Sequence, residues 1–151
     1  MLRDRIKAET VTAMKAGDKG RTAALRLIAA KVKDRDIEQR TATKAAEDDD
    51  ALVIDVLQKM AKQRRESITM FDQGGRDELA AQERAELVVI EEFLPRQMDE
   101  AETRAAIEGI KTELGAASLK DMGRVMAELK ARHGTVLDLG RASGWVKDSL
   151  A

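Results

Sequence analysis

The chain has 151 residues, of which 36% are charged and only 2% aromatic, with one histidine, one proline and no cysteine. These counts exclude disulfides, thiolate catalysis and the usual Cys/His zinc sites. The net charge of −1 hides an asymmetry: residues 1–46 hold twelve Lys/Arg against six Asp/Glu, residues 47–100 seven against fifteen, and residues 101–151 eight against seven.

Abundant Ala, Leu, Glu, Lys and Arg, with no polar–apolar alternation over a strand length, predict an all-α protein. Leu2 to Ala16 reads as a first helix, stopped by Gly17. Asp18 then caps a longer one, to about Gln39, with a stripe at Leu25, Ile28, Ala29 and Val32. "TATKAAEDDD" is a polar connection. Asp48, Asp49 and Asp50 stand where a third helix begins and complement its dipole. A metal site is the alternative reading of this triplet, disfavoured because consecutive helical residues point in different directions.

The third helix runs to about Gln73 and stops at Gly74-Gly75. It places Val53, Val56, Leu57, Met60, Ile68 and Phe71 on one stripe, with Arg64 in its middle. A fourth, Asp77 to about Leu94, carries Leu79, Leu87, Ile90 and Phe93, with Glu83 and Glu86 inside the stripe. The short glycine turn makes the two antiparallel. Arg64 lies eleven residues before Gly75 and Glu86 eleven after it. An Arg64–Glu86 pair is therefore expected, with Glu83 as the next candidate, since a lone charge in that interface is costly.

Pro95 marks a boundary between an N-terminal domain, residues 1–95, and a small three-helix C-terminal domain, residues 96–151. Asp99 caps a helix from Glu100 to Leu114, ended by Gly115. Ser118, with Asp121 three residues on, opens a second, Leu119 to Arg132, ended near Gly134. Asp138 or Leu139 to Leu150 is the last, with a stripe at Leu139, Ala142, Ser143, Val146 and Leu150. In the second helix Met122, Val125, Met126 and Leu129 form the stripe. Gly123 sits beside it, at a helix-propensity cost of about 1 kcal/mol relative to alanine. Close helix packing is the first explanation for that glycine; approach of a phosphate is the other.

No nucleotide-binding glycine loop, nucleophile elbow or metal-ligand set is present, so no catalytic residue, cofactor or metal is expected. His133 precedes Gly134 at a helix end, facing terminal carbonyls. The start "MLRDRIKAET" has no apolar core of a signal peptide, and no run approaches the roughly 20 apolar residues of a membrane span. A cytoplasmic protein without a membrane partner is expected. RNA contact, if any, rests on Lys/Arg and phosphate. The candidates are Lys120, Arg124, Lys130 and Arg132 on the Gly123 helix and Arg141 and Lys147 on the last one. Trp145 borders the final stripe and either seals the small core or stacks on a base.

The segments "LRLIAAKVKDRDIE", "KQRRESITMFDQGGRDELAAQERAELVVIEEFLP" and "LKDMGRVMAELKARHG" resemble the GatB/YqeY family, specifically its stand-alone YqeY-like members. The resemblance covers nearly the whole chain, more loosely in the last helix. It implies an all-α, two-part fold and a tRNA-related role. The same domain forms the tail of the B subunit of the aspartyl/glutamyl-tRNA amidotransferase, where it helps hold the outer corner of tRNA. Gly123, Lys130 and Gly134 match the tail's Gly-x-x-Met-Lys-like segment. The expected function is a tRNA-binding accessory protein that recognises tRNA shape. The alternative is a module that docks on a tRNA synthetase or amidotransferase. A lesser one is the family's label of carbon–nitrogen ligase with glutamine as amido donor, for which the chain shows no machinery.

Overall fold

Helix-forming runs punctuated by capping aspartates and glycines become seven α-helices in a computed structural model that describes residues 1–42 and 48–151, with no strand among the described residues. The centre of the expected polar connection, residues 43–47, lies outside the described residues. No described helix is long and apolar enough to cross a membrane. The chain divides into two compact units, Met1–Leu94 and Pro95–Ala151.

The first unit holds α1 (Leu2–Lys15), α2 (Lys19–Thr41), α3 (Asp49–Gln73) and α4 (Asp77–Glu92). Gly17 turns the chain after α1 at φ +70°, and the Asp18 carboxylate accepts the Arg21 N–H at 3.0 Å to start α2. The core is aliphatic: Ile6 from α1, Leu25 and Ile28 from α2, Val53, Leu57 and Met60 from α3, Ile90 from α4, then Phe93. Two expected stripe positions are exposed. Ala29 is exposed and borders an open furrow between α1 and α2. Leu79 is exposed and Ala80 is fully buried instead, the small side chain fitting where α4 leaves the tight two-glycine turn. Ile68 and Phe71 are half-buried.

The three aspartates at the start of α3 each take a different partner. Asp48 caps α3 by accepting the Ala51 N–H at 3.2 Å. Asp50 accepts the Leu2 N–H at 3.0 Å, capping α1 from another helix. Asp49 holds Arg3 at 2.9 Å. The same guanidinium forks onto Asp36 of α2, at 2.8 and 2.9 Å, so one side chain joins three helices. Arg21 bridges Glu9 and Glu92 at 3.1 and 2.9 Å, and Arg35 reaches Asp55 at 3.4 Å. Basic residues of α1 and α2 are thus neutralised in part by acids of α3 and α4.

Along the α3–α4 hairpin, Arg64 Nε stands 2.8 Å from Glu86 Oε2 and 3.0 Å from Glu83 Oε2. The Arg64 side chain is 15% exposed. The equal spacing of Arg64 and Glu86 from Gly75 accounts for this register in an antiparallel pair.

The second unit holds α5 (Glu100–Leu114), a single 3-10 turn at Leu119–Asp121, α6 (Met122–His133) and α7 (Leu139–Leu150). The helix expected from Leu119 is therefore split. The Asp121 carboxylate accepts the N–H groups of Ala117 and Ser118 at 3.0 and 3.4 Å, tightening the first turn before α6 begins. Ile107, Ile110, Val125, Leu129, Leu137, Ala142, Val146 and Leu150 form the core, while Leu139 and Ser143 are half-buried. The segment that leads into α5 is strapped to the α6–α7 loop. The Met98 N–H donates to Val136 O at 2.6 Å, and the Gln97 amide donates to Thr135 O at 3.2 Å.

Two outcomes test these braces. Arg3 holds the Asp36 carboxyl below its ordinary value of 3.8. A depressed folded value means that the pair's contribution is complete above the unfolded pKa and vanishes as pH falls through the folded one. Arg3→Ala should cost about 1–2 kcal/mol in urea unfolding near neutral pH, the charges being partly exposed. The gap from wild type should close below about pH 4; a gap that persists in acid contradicts the assignment. Arg64→Leu, which strands two carboxylates, should cost about 2–3 kcal/mol, and adding Glu83→Leu with Glu86→Leu should recover most of it. Circular dichroism during urea unfolding measures both.

Candidate nucleic-acid interface

All three helices of the second unit begin at an aspartate. The Asp99 carboxylate accepts the Glu102 N–H at 2.8 Å on α5, and Asp138 accepts Gly140 and Arg141 N–H at 2.9 and 3.3 Å on α7. Before α6, Asp121 also holds Arg124 at 2.6 Å. The Ala117 N–H first, then Arg124, keeps the Asp121 carboxyl below the usual carboxylate range. Each N-terminus thus has its own anion, and a phosphate bound to this unit has to be met by side-chain cations.

The six candidate cations divide by residue type. Arg124 is paired with Asp121. Arg132 clamps Glu128 at 2.7 Å and also Glu113, linking α5 to α6. Glu113 first and then Glu128 raise the Arg132 guanidinium above its ordinary value, and Arg132 in turn lowers the Glu113 carboxyl. Arg141 lies over the Trp145 ring, 5.2 Å from its centroid, with Arg104 of α5 at 5.6 Å. Lys120, Lys130 and Lys147 are exposed, with no carboxylate partner among the described residues. Arg124 and Lys130 are six residues apart, as are Arg141 and Lys147, which sets each pair about 120° apart round its helix. The six candidates therefore do not make one face.

What α6 does present is a smooth strip. Gly123, Ala127 and Lys130, spaced i, i+4 and i+7, are all exposed and share one side of the helix. No carboxylate occupies those positions. A side chain built at Gly123 meets nothing within 4 Å. Close packing is therefore not what this glycine serves within the described residues, and the first sequence expectation is corrected. The same open space surrounds Gly109 on α5 and Gly144 on α7. Gly134 is the opposite case, since a Cβ there would lie 2.6 Å from the Lys130 carbonyl oxygen.

Trp145 is half-buried and packs against the unit's core. Its partnership with Arg141 is visible in the sequence as an i, i+4 pair. Arg104 carries no such signal, because its place beside the ring depends on the register between α5 and α7. It is further tied to Glu100 at 2.9 Å and Asp148 at 4.0 Å. Lys111 was also missed; its ammonium donates to Ser149 O at 2.8 Å, holding the end of α7 to α5. No cluster of three or more His, Asp or Glu placed to hold a metal ion occurs among the described residues.

The model of one protein family, described as Yqey-like protein, matches residues 3–150. No curated protein sequence matches the chain.

Gly123 inside α6 and Gly134 just past its end should respond oppositely. Gly123→Ala should leave thermal stability unchanged or raise it, by up to about 1 kcal/mol of helix propensity. Gly134→Ala should lower it through the backbone clash, by about 1–3 kcal/mol. A destabilised Gly123→Ala would show that the position is packed after all.

Proposed function

The chain belongs to the Yqey-like protein family, and from that premise we propose that it is a tRNA-binding accessory protein whose second unit meets the sugar–phosphate backbone. The observation that carries the reading is the exposed, carboxylate-free strip of α6, with Lys130 at its end and Gly123 open. Small residues let a backbone approach the helix surface, and unpaired lysines then supply the charge. Lys120 and Lys147 extend the set of uncommitted cations. The family's relation to the amidotransferase tail supports a tRNA ligand over a generic polyanion.

Such contacts recognise shape, not base sequence, because the deep major groove of A-form RNA is closed to side chains. The lysines belong to the binding surface in this reading. Arg132 belongs to the fold, since its charge is taken by two glutamates. Arg124 and Arg141 reach RNA only by exchanging Asp121 or Trp145 for phosphate.

Filter binding of tRNA at two salt concentrations tests this. Affinity should fall steeply with salt, with a log–log slope of about 0.7–0.9 per phosphate contact. The combined variant Lys120→Glu, Lys130→Glu, Lys147→Glu should bind at least about tenfold more weakly and with a shallower slope. Failure to retain tRNA at low salt, or binding untouched by the triple variant, refutes the proposal.

A further inference from the structure

The first unit carries a surface that the RNA reading does not use. Along the outer side of α1, Lys7, Val11 and Met14 are spaced i, i+4 and i+7 and are all exposed, Val11 by 46% and Met14 by 51%. Between α1 and α2 runs an open furrow. One part, about 330 Å³, has Ile6 and Val32 in its floor and Val11 and Ala29 in its walls, with Lys7 at the rim. Toward the α1–α2 turn a second hollow of about 340 Å³ is lined by Met14, Thr22, Ala23, Lys19 and Arg26. The two follow α1, whose fourteen residues span about 21 Å.

The charged side chains that line this furrow are mostly basic. Lys7 and Lys19 have no carboxylate partner among the described residues, and the Arg26 guanidinium touches the Met14 sulfur at 3.5 Å. Arg3 is at one end, already neutralised by Asp36 and Asp49. The Asp18 carboxylate at the other end accepts the Arg21 N–H. Asp4 sits on α1 one turn before Lys7, and Glu9 is held by Arg21. The furrow thus offers apolar walls and a rim in which the unpaired cations Lys7, Lys19 and Arg26 outnumber the one lining carboxylate, Asp18.

We propose that the α1–α2 furrow docks an acidic amphipathic helix of a partner protein. Apolar side chains of that helix, at i, i+3 or i+4 and i+7, fill the hollows beside Val11 and Met14, and flanking carboxylates meet Lys7, Lys19 and Arg26. A second copy of the chain docking through the same face would set these cations against their own kind. A phosphodiester backbone offers nothing apolar for Val11 and Met14. A bilayer surface covers a protruding apolar edge in preference to a concave one. The furrow shares no residue with the surface proposed for tRNA, so the two proposals fail separately.

The test is calorimetric titration of the full chain with three synthetic helical peptides: leucines at helical spacing flanked by glutamates, the same leucines flanked by lysines, and the glutamate peptide with serine in place of leucine. The first should bind at least about tenfold more tightly than either control. Val11→Asp with Met14→Asp should remove that binding. Lys7→Glu with Arg26→Glu, two exposed positions whose variant is first checked for an intact fold by circular dichroism, should transfer the preference to the lysine peptide. Absence of binding by the glutamate peptide at about 1 mM, equal binding of the two charged peptides, or a charge-reversed variant with unchanged preference overturns the proposal. So does binding of tRNA or of phosphatidylglycerol vesicles that is lost with Val11→Asp and Met14→Asp.

Discussion

The Arg3 guanidinium is the point on which the first unit turns. A core built from aliphatic side chains, with Phe93 as its one aromatic member, is held by a force that is non-directional. A planar fork between two carboxylates on different helices does not slide. Arg3 fixes α1 against Asp36 of α2 and Asp49 of α3, while Asp50 fixes the start of α1 from the opposite direction. Arg21 does the same work near the α1–α2 turn, between Glu9 and Glu92. Apolar burial gives the unit its drive to collapse, and the arginine forks set the register.

The same division of labour separates the cations of the second unit. Its arginines are engaged: Arg132 with Glu113 and Glu128, Arg124 with Asp121, Arg104 and Arg141 with Trp145. Of the lysines, only Lys111 is engaged internally among the described residues. A guanidinium is weakly hydrated and presents several donors in a plane, so it is easily taken up by intramolecular partners; an ammonium keeps its water and stays outside. A list of basic residues therefore overstates the charge available to a ligand, and the overstatement falls on the arginines.

Much of the helical layout was legible because it is written locally. Asp18, Asp48, Asp99 and Asp138 announce helix starts, and Gly17, Gly75 and Gly115 turn the chain at positive φ. The Arg64 register needed only an equal count from Gly75. Features that depend on a second element were not legible. Leu79 and Ala80 both satisfy a helical stripe, and the choice between them depends on how closely α3 approaches. The Ser118–Asp121 capping box was legible and is present; that Asp121 also takes the Ala117 N–H and closes a 3-10 turn before α6 was not. Arg104 stands beside Trp145 only through the register of α5 on α7. At the candidate site the sequence shows which residues are basic but not which are already paired, and the emptiness around Gly123 is a property of space that no spacing encodes.

The position of Trp145 has an optical consequence. It is the only tryptophan, and the chain has no tyrosine, so emission excited in the near ultraviolet comes almost wholly from the second unit. The ring is half-buried against that unit's core, with two guanidiniums close by. Its intensity and colour will follow the packing of α5 on α7, while the first unit stays dark in the same experiment. The molecule carries a built-in reporter that tells the folding of one half from that of the other without any label.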